Sequence, residues 1–203
     1  MFRRVALLLI LACGVSLIVW SGLHNIRQRR VDADRRAQTQ AVIVPAQSQQ
    51  APVDSPMRGK PAPAFSLVDL NGKKVTLNDF KGHPLLVNFW GTYCGPCKIE
   101  MPWLEEFHKK YAAQGFQVVG VTYDSEVGKD TIEKNTKQLG VTYPILLSDS
   151  KAEKAYLSGS EVLPMSFYVN RTGKIIEVTA GISDGNGKEQ LEAIVQKTIA
   201  SND

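Results

Sequence analysis

The segment PLLVNFW, residues 84–90, is followed after three residues by Cys94-Gly95-Pro96-Cys97 and then by KIEMPWLEEFHKKY. A near-continuous apolar run of this length reads as a β-strand covered on both faces. Downstream, Ile99, Trp103, Leu104 and Phe107 recur at helical spacing, and Pro102 inside that pattern predicts a kink. The junction is therefore strand, short loop, helix, with Cys94 where the helix begins and Cys97 one turn inside it. A strand covered on both faces needs helices on each side of its sheet, which points to an α/β fold.

The rest of the chain fits that frame. AFSLVDLNGKKVTLNDF alternates apolar and polar residues around Asn71-Gly72, a strong hairpin signal. FQVVGVTYD reads as a second buried strand, and EVGKDTIEKNTKQLG as a polar helix ending near Gly140. YPILLSD predicts a short strand, with a short helix around residues 151–157. MSFYVNRTGKIIEVTAG predicts a hairpin turning at Arg171-Thr172-Gly173, and GKEQLEAIVQKTIA an amphipathic closing helix. Strands and helices that alternate before a terminal hairpin imply a sheet of mixed strand direction.

Charge divides the chain near residue 58. Residues 1–58 hold eight Arg and three Asp, a balance of +5; residues 59–203 hold sixteen Lys or Arg against seventeen Asp or Glu, a balance of −1. The near-neutral larger part argues against nucleic acid as a partner. Val5 to Leu23 carry no charge and follow Arg3 and Arg4. Nineteen helical residues rise about 28 Å, close to the thickness of a bilayer's hydrocarbon core. Residues 1–23 thus read as an uncleaved signal anchor, a single transmembrane helix, since no small-residue cleavage site follows Trp20. Ile10-Leu11-Ala12-Cys13 half resembles a lipidation signal, but the apolar stretch continues past Cys13. Residues 24–58, with six Gln, three Pro and no sustained periodicity, read as a flexible linker, leaving residues 59–203 as the folded domain. The Arg residues after the span outnumber those before it, which by charge alone would place the domain in the cytoplasm.

Three roles are open to a Cys-x-x-Cys pair. A structural metal site needs about four ligands, and the other candidates, Cys13, His24, His83 and His108, are scattered. A bridge closing so small a loop is a weak staple. Redox exchange remains. At the start of a helix, unpaired N–H groups and the helix dipole favour a thiolate at Cys94. Cys94 is the expected nucleophile and Cys97 the thiol that resolves the mixed disulfide. Gly95 and Pro96 keep the turn compact and add no charge.

VNFWGTYCGPCKIEMP, the preceding GKPAPAFSLVDLNGKKVTLNDFKG and the later VLPMSFYVNRTGKI together resemble the membrane-anchored thioredoxin-like proteins typified by TlpA and ResA. The resemblance covers residues 59–203 and implies a thioredoxin-like fold with an N-terminal β-hairpin and a central insertion around residues 125–147. It implies a thiol–disulfide oxidoreductase without a cofactor that reduces disulfides of extracytoplasmic, periplasmic-side proteins, with cytochrome c maturation as one setting. A disulfide-bearing client and a transmembrane thiol reductant would be its partners, against the orientation counted from charge. It makes Pro164 a cis proline beside the cysteines, and places Leu163 and Tyr93 with it in substrate binding. Tyr93 stands where relatives carry Trp, Asn88 where cytosolic thioredoxins carry an acid, and Gly95 where ResA-type proteins carry Glu. The approach AYLSGSEVLP is about two residues longer than usual. Gly95, Pro96, Glu100 and Glu161 are candidate modulators of the cysteines; the alternative is an exposed helix face for Glu100 and a solvated loop for Glu161. Trp90 and Phe89 are expected around the site, and His83 and His108 on the surface. Two rival functions are a peroxiredoxin-like peroxidase, which needs a Thr where Gly91 stands, and a redox-dependent binding module without turnover.

Overall fold

A computed structural model describes residues 53–181 and 185–202. The expected anchor, Cys13 and most of the linker lie outside them. Among the described residues no helix is long and apolar enough to cross a membrane.

The N-terminal hairpin is present as β1 (Ser66–Asp69) and β2 (Lys74–Thr76), paired antiparallel. Asp69 closes its turn, with Oδ1 accepting N–H groups from Asn71 and Lys73 at 2.8 Å each. Gly72 supplies the positive φ of 79° that the turn requires. β3 (Leu85–Trp90), α1 (Gly95–Lys110), β4 (Gln117–Thr122) and α2 (Lys129–Gln138) follow. β5 (Ile145–Leu147), α3 (Ser150–Leu157), β6 (Met165–Val169), β7 (Ile175–Ala180) and α4 (Gly187–Ala200) complete the order.

These strands form one seven-stranded sheet in the order β2-β1-β5-β4-β3-β6-β7. β3, β4 and β5 run parallel, while β6 is antiparallel to β3, so the sheet is mixed as expected. The segment expected as an insertion supplies α2 and β5. β5 joins the hairpin to the rest, pairing antiparallel with β1 and parallel with β4.

All six residues of β3 are buried, and alternation sends them to opposite sides. Leu85, Val87 and Phe89 join a core with Val119, Val121, Phe167 and Tyr156 of α3. Leu86 and Trp90 join a second core with α1 residues Cys97, Met101, Leu104 and Phe107, and with Leu191 and Val195 of α4. α1 and α4 therefore cover one face and α3 the other.

The packed region begins earlier than the change of texture at Gly59. Val53 N–H donates to Val178 O at 3.0 Å, Arg58 pairs with Glu177, and Gly59 N–H donates to Ile175 O at 2.7 Å. Residues 53–58, read as linker from composition, instead lie along β7. Their Pro, Asp and Ser content masked a segment held by backbone bonds rather than by apolar periodicity.

Gly120 in β4 marks the tightest packing under α1. A Cβ there would stand 2.7 Å from Ile145 Cδ1 and 3.2 Å from both Trp90 Nε1 and Tyr143 Cε2. Gly120→Ala is expected to destabilise the fold by about 1–2 kcal/mol despite its lower chain entropy, because two rigid rings must shift. Urea denaturation with an unchanged m-value is the check.

Candidate active site

β3 delivers the chain to the site. After Trp90, Cys94 N–H donates to Gly91 O at 3.1 Å, closing a tight turn. Cys94 has extended backbone angles, φ −78° and ψ 104°, and is the N-cap of α1; its Sγ accepts the Cys97 N–H at 3.1 Å. Gly95 and Pro96 open the helix, where a proline costs no hydrogen bond. The two sulfurs are joined at 2.03 Å, with Cα atoms 5.3 Å apart. Cys94 keeps 7% of its surface exposed and Cys97 none. The sulfur at the helix tip is the reachable one.

A residue not anticipated holds this loop. Asp124, buried just past β4, accepts the Thr92 N–H at 2.9 Å and also the Thr92 hydroxyl; its other oxygen accepts Thr122 Oγ1 at 2.7 Å. The signal was an acid directly after the apolar run FQVVGVTY.

Glu100, a candidate modulator of the cysteines, is 1% exposed, which excludes its alternative reading as an exposed helix face. Its Oε1 accepts Asn88 Nδ2 and Ser166 Oγ, both at 3.0 Å, and Asn88 Nδ2 also donates to Ser166 Oγ at 2.9 Å. Cys97, Glu100, Met101, Leu104 and Phe107 share the buried face of α1. Glu100 therefore lies one turn after Cys97, beneath the disulfide. Its position on that face, together with the polar Asn88 inside an apolar strand, was the available signal. Ser166, directly opposite Asn88 in the register, was missed.

The Leu163–Pro164 peptide is cis. Pro164 is buried, its O accepting Gly181 N–H at 2.8 Å, and Leu163 packs against the cluster that contains both cysteines. Tyr93 is 66% exposed and Val162 51%. Partial desolvation, then Asp124, Tyr123, Glu161 and Glu126, push the Tyr93 phenol above its ordinary range. Glu161 is exposed and forms no ion pair among the described residues. Trp90 packs with the cysteines, but Phe89 lies in the core on the other face of the sheet, which its odd position in β3 dictates. His83 is exposed, whereas His108 is half-buried with its Nδ1 enclosed.

A redoxin family model matches residues 57–195. The chain belongs to the redoxin family. Relatives include the thiol-disulfide oxidoreductase ResA of Bacillus thuringiensis, 39% identical over 140 residues, 68% of this chain and 77% of that protein. ResA of Bacillus subtilis is 36% identical over 129 residues, 63% of this chain and 70% of that protein. Among solved structures, a putative thiol:disulfide interchange protein DsbE from Chlorobium tepidum superposes with a TM-score of 0.62. It is 31% identical and covers 70% of this chain and 98% of its own. The fold of this redoxin is thus thioredoxin-like, and its activity is that of a thiol–disulfide oxidoreductase.

Removing the Asp124 carboxylate tests how the loop is held. Asp124→Ala leaves the Thr92 N–H and the Thr122 hydroxyl without their acceptor and is expected to cost about 2–3 kcal/mol. Amide hydrogen exchange at residues 91–94 should accelerate more than exchange in β6 and β7.

Proposed function

We propose that this redoxin reduces disulfides of extracytoplasmic proteins through Cys94 and Cys97. The observation that carries the reading is the placement of the more exposed sulfur at the N-cap of α1. Backbone N–H groups and the helix dipole there favour a Cys94 thiolate over the thiol. The thiolate attacks one sulfur of a client disulfide; the Cys94–client bond forms and the client's S–S bond breaks, releasing one client thiolate. Cys97 then attacks Cys94 Sγ, forming the internal disulfide and releasing the second client thiolate. The client gains two electrons and the enzyme dithiol loses them. Glu100 takes the proton that Cys97 must lose, its carboxylate held in place by Asn88 and Ser166.

The client enters as an extended segment against Leu163 and Pro164, flanked by the exposed Tyr93 and Val162. Glu161 faces the client from the mouth of this groove. Gly95 and Pro96 leave the helix tip uncharged, which suits a reductant. Residues 1–23 anchor the protein in the membrane, and the linker, shortened to end before Val53, sets its reach. A transmembrane thiol reductant restores the dithiol, since cytosolic reductases do not reach the outside. Cytochrome c maturation fits the kinship with ResA. The peroxidase reading lacks support, since Gly91 stands at its required Thr and Thr92 is held by Asp124.

Cys97→Ser is expected to accumulate a mixed disulfide through Cys94 in cells, and Cys94→Ser to accumulate none. A Cys97→Ser protein that captures nothing, with wild-type protein failing to turn over insulin reduction, overturns the reading and leaves the binding module. A membrane-impermeant thiol reagent should label Cys94 on intact cells. Labelling only after lysis would place the domain in the cytoplasm.

Glu100→Gln keeps the shape and both hydrogen-bonding neighbours but removes the proton acceptor. It is expected to slow displacement by Cys97 by about 10²-fold, within the range for proton-transfer groups, while capture by Cys94 stays unchanged. Rapid-mixing measurement of the two phases separates them.

A further inference from the structure

β3 and β4 run parallel and β6 runs antiparallel to β3, so the loops leaving β3 and β4 and the segment entering β6 emerge at one end of the sheet. Cys94 stands in the first, Tyr123 opens the second, and residues 158–164 make up the third. Tyr123 and part of that third segment line a cavity of about 320 Å³, within the roughly 300–1,000 Å³ of small-ligand clefts. α3 forms one wall, where Ser150, Glu153, Lys154 and Leu157 share a helix face by their spacing of three and four residues.

The lengthened approach to the cis proline supplies the opposite wall, residues 159–161. α3 ends at Ser158, with φ 50°, followed by Gly159, with φ 83°. Two successive left-handed residues turn the chain back across the helix end. Ser160 N–H donates to Leu157 O at 2.8 Å, and Ser160 Oγ accepts the Val162 N–H at 3.3 Å, so the turn is fixed by bonds of its own. Glu161 therefore both lines the cavity and stands three residues before Pro164. Tyr123 ties the cavity to the catalytic strand, its N–H donating to Trp90 O at 2.8 Å, while the next residue, Asp124, holds Thr92.

Two carboxylates line this space, the half-buried Glu153 and the exposed Glu161, against one cation, Lys154. None of the three joins an ion pair among the described residues. The same negative balance reaches the residue beside Cys94: after partial desolvation, Asp124, Tyr123, Glu161 and Glu126 raise the Tyr93 phenol. Leu157 and the Tyr123 ring add apolar surface to the lining. An apolar stem that ends in a cation is the build of a lysine or arginine side chain. We propose that the cavity receives a lysine or arginine side chain of the client, close in sequence to the cysteine under attack, and that Glu161 selects it. The inference rests on the reading of Cys94 as the nucleophile and of the Leu163–Pro164 segment as the client groove. It adds a preference for basic clients to that reading, set by the segment between α3 and the cis proline.

The probes are short cysteine peptides activated as pyridyl disulfides, offered to the reduced full-length protein carrying Cys13→Ser. As the Cys94–peptide bond forms, the peptide–pyridyl bond breaks and a coloured thiopyridone leaves, which reports capture. The peptides carry Lys, Gln or Glu two residues before or two residues after the cysteine. In one of the two placements Lys should be captured about fivefold faster than Gln, the upper end for a solvent-exposed ion pair, and Glu more slowly than Gln. Moving the Lys six residues away should abolish the preference, a comparison that needs no further variant. Glu161→Gln should lower the Lys-to-Gln ratio to below about twofold, whereas Glu126→Gln should leave the ratio as it was. Because the ratio is taken within one protein, a general loss of activity cancels from it. Equal capture of Lys and Gln peptides in both placements overturns the pocket while leaving capture by Cys94 intact. A preference that ignores the position of the Lys, or that survives Glu161→Gln, also overturns it. Failure to capture any peptide overturns the reduction reading and the pocket together.

Discussion

The central strand β3 is committed on every side. Its backbone pairs with β4 along one edge and β6 along the other, and its side chains enter both cores. A strand so enclosed cannot slip by one residue, because a slip would send each buried side chain to the wrong face. The loop that leaves its end, and the first turn of α1 with Cys94, inherit that rigidity. Reactive sulfur at a helix tip is useful only if the tip holds still, and here the sheet, rather than the short loop, supplies the stillness.

Polar groups complete what the apolar core begins. Glu100 ties α1 to β3 and β6 through Asn88 and Ser166, while Asp124 ties the loop ahead of Cys94 to the end of β4. Each is a carboxylate taken out of water and given hydrogen-bond donors in return, the condition under which a buried acid is tolerated. The two bracket the dithiol, one from below and one from the side. Tyr93, beside Cys94 in the chain, and Val162, two residues before the cis proline, remain exposed.

Every strand and helix named from pattern is present, because alternation and helical spacing report directly on which face a residue buries. Both hairpins were legible from Asn71-Gly72 and from Arg171-Thr172-Gly173, whose turn chemistry is local. The cysteine pair was legible for the same reason. What escaped the sequence depends on partners distant in the chain. Glu100 reads as a candidate acid near the cysteines, but the choice between a buried place and an exposed helix face stays open until Asn88 and Ser166, 12 and 66 residues away, are seen to meet it. Asp124 reads as a loop residue until Thr92 arrives, 32 residues back. Residues 53–58 read as tether because a turn held to a distant strand by one backbone bond and the Arg58–Glu177 pair leaves no periodic trace in six residues. His108 reads as surface because the Tyr143 ring it packs against lies far along the chain.

A protein that handles other polypeptides with exposed cysteines meets strand-forming segments constantly, and an open sheet margin would invite them to stack. Here one margin is a strand of three residues, and along the other the chain's own lead-in from Val53 to Ala62 occupies the hydrogen-bonding groups of β7 and its turn. Visitors are thereby denied a template along both flanks, where no cysteine stands ready to release what has stuck.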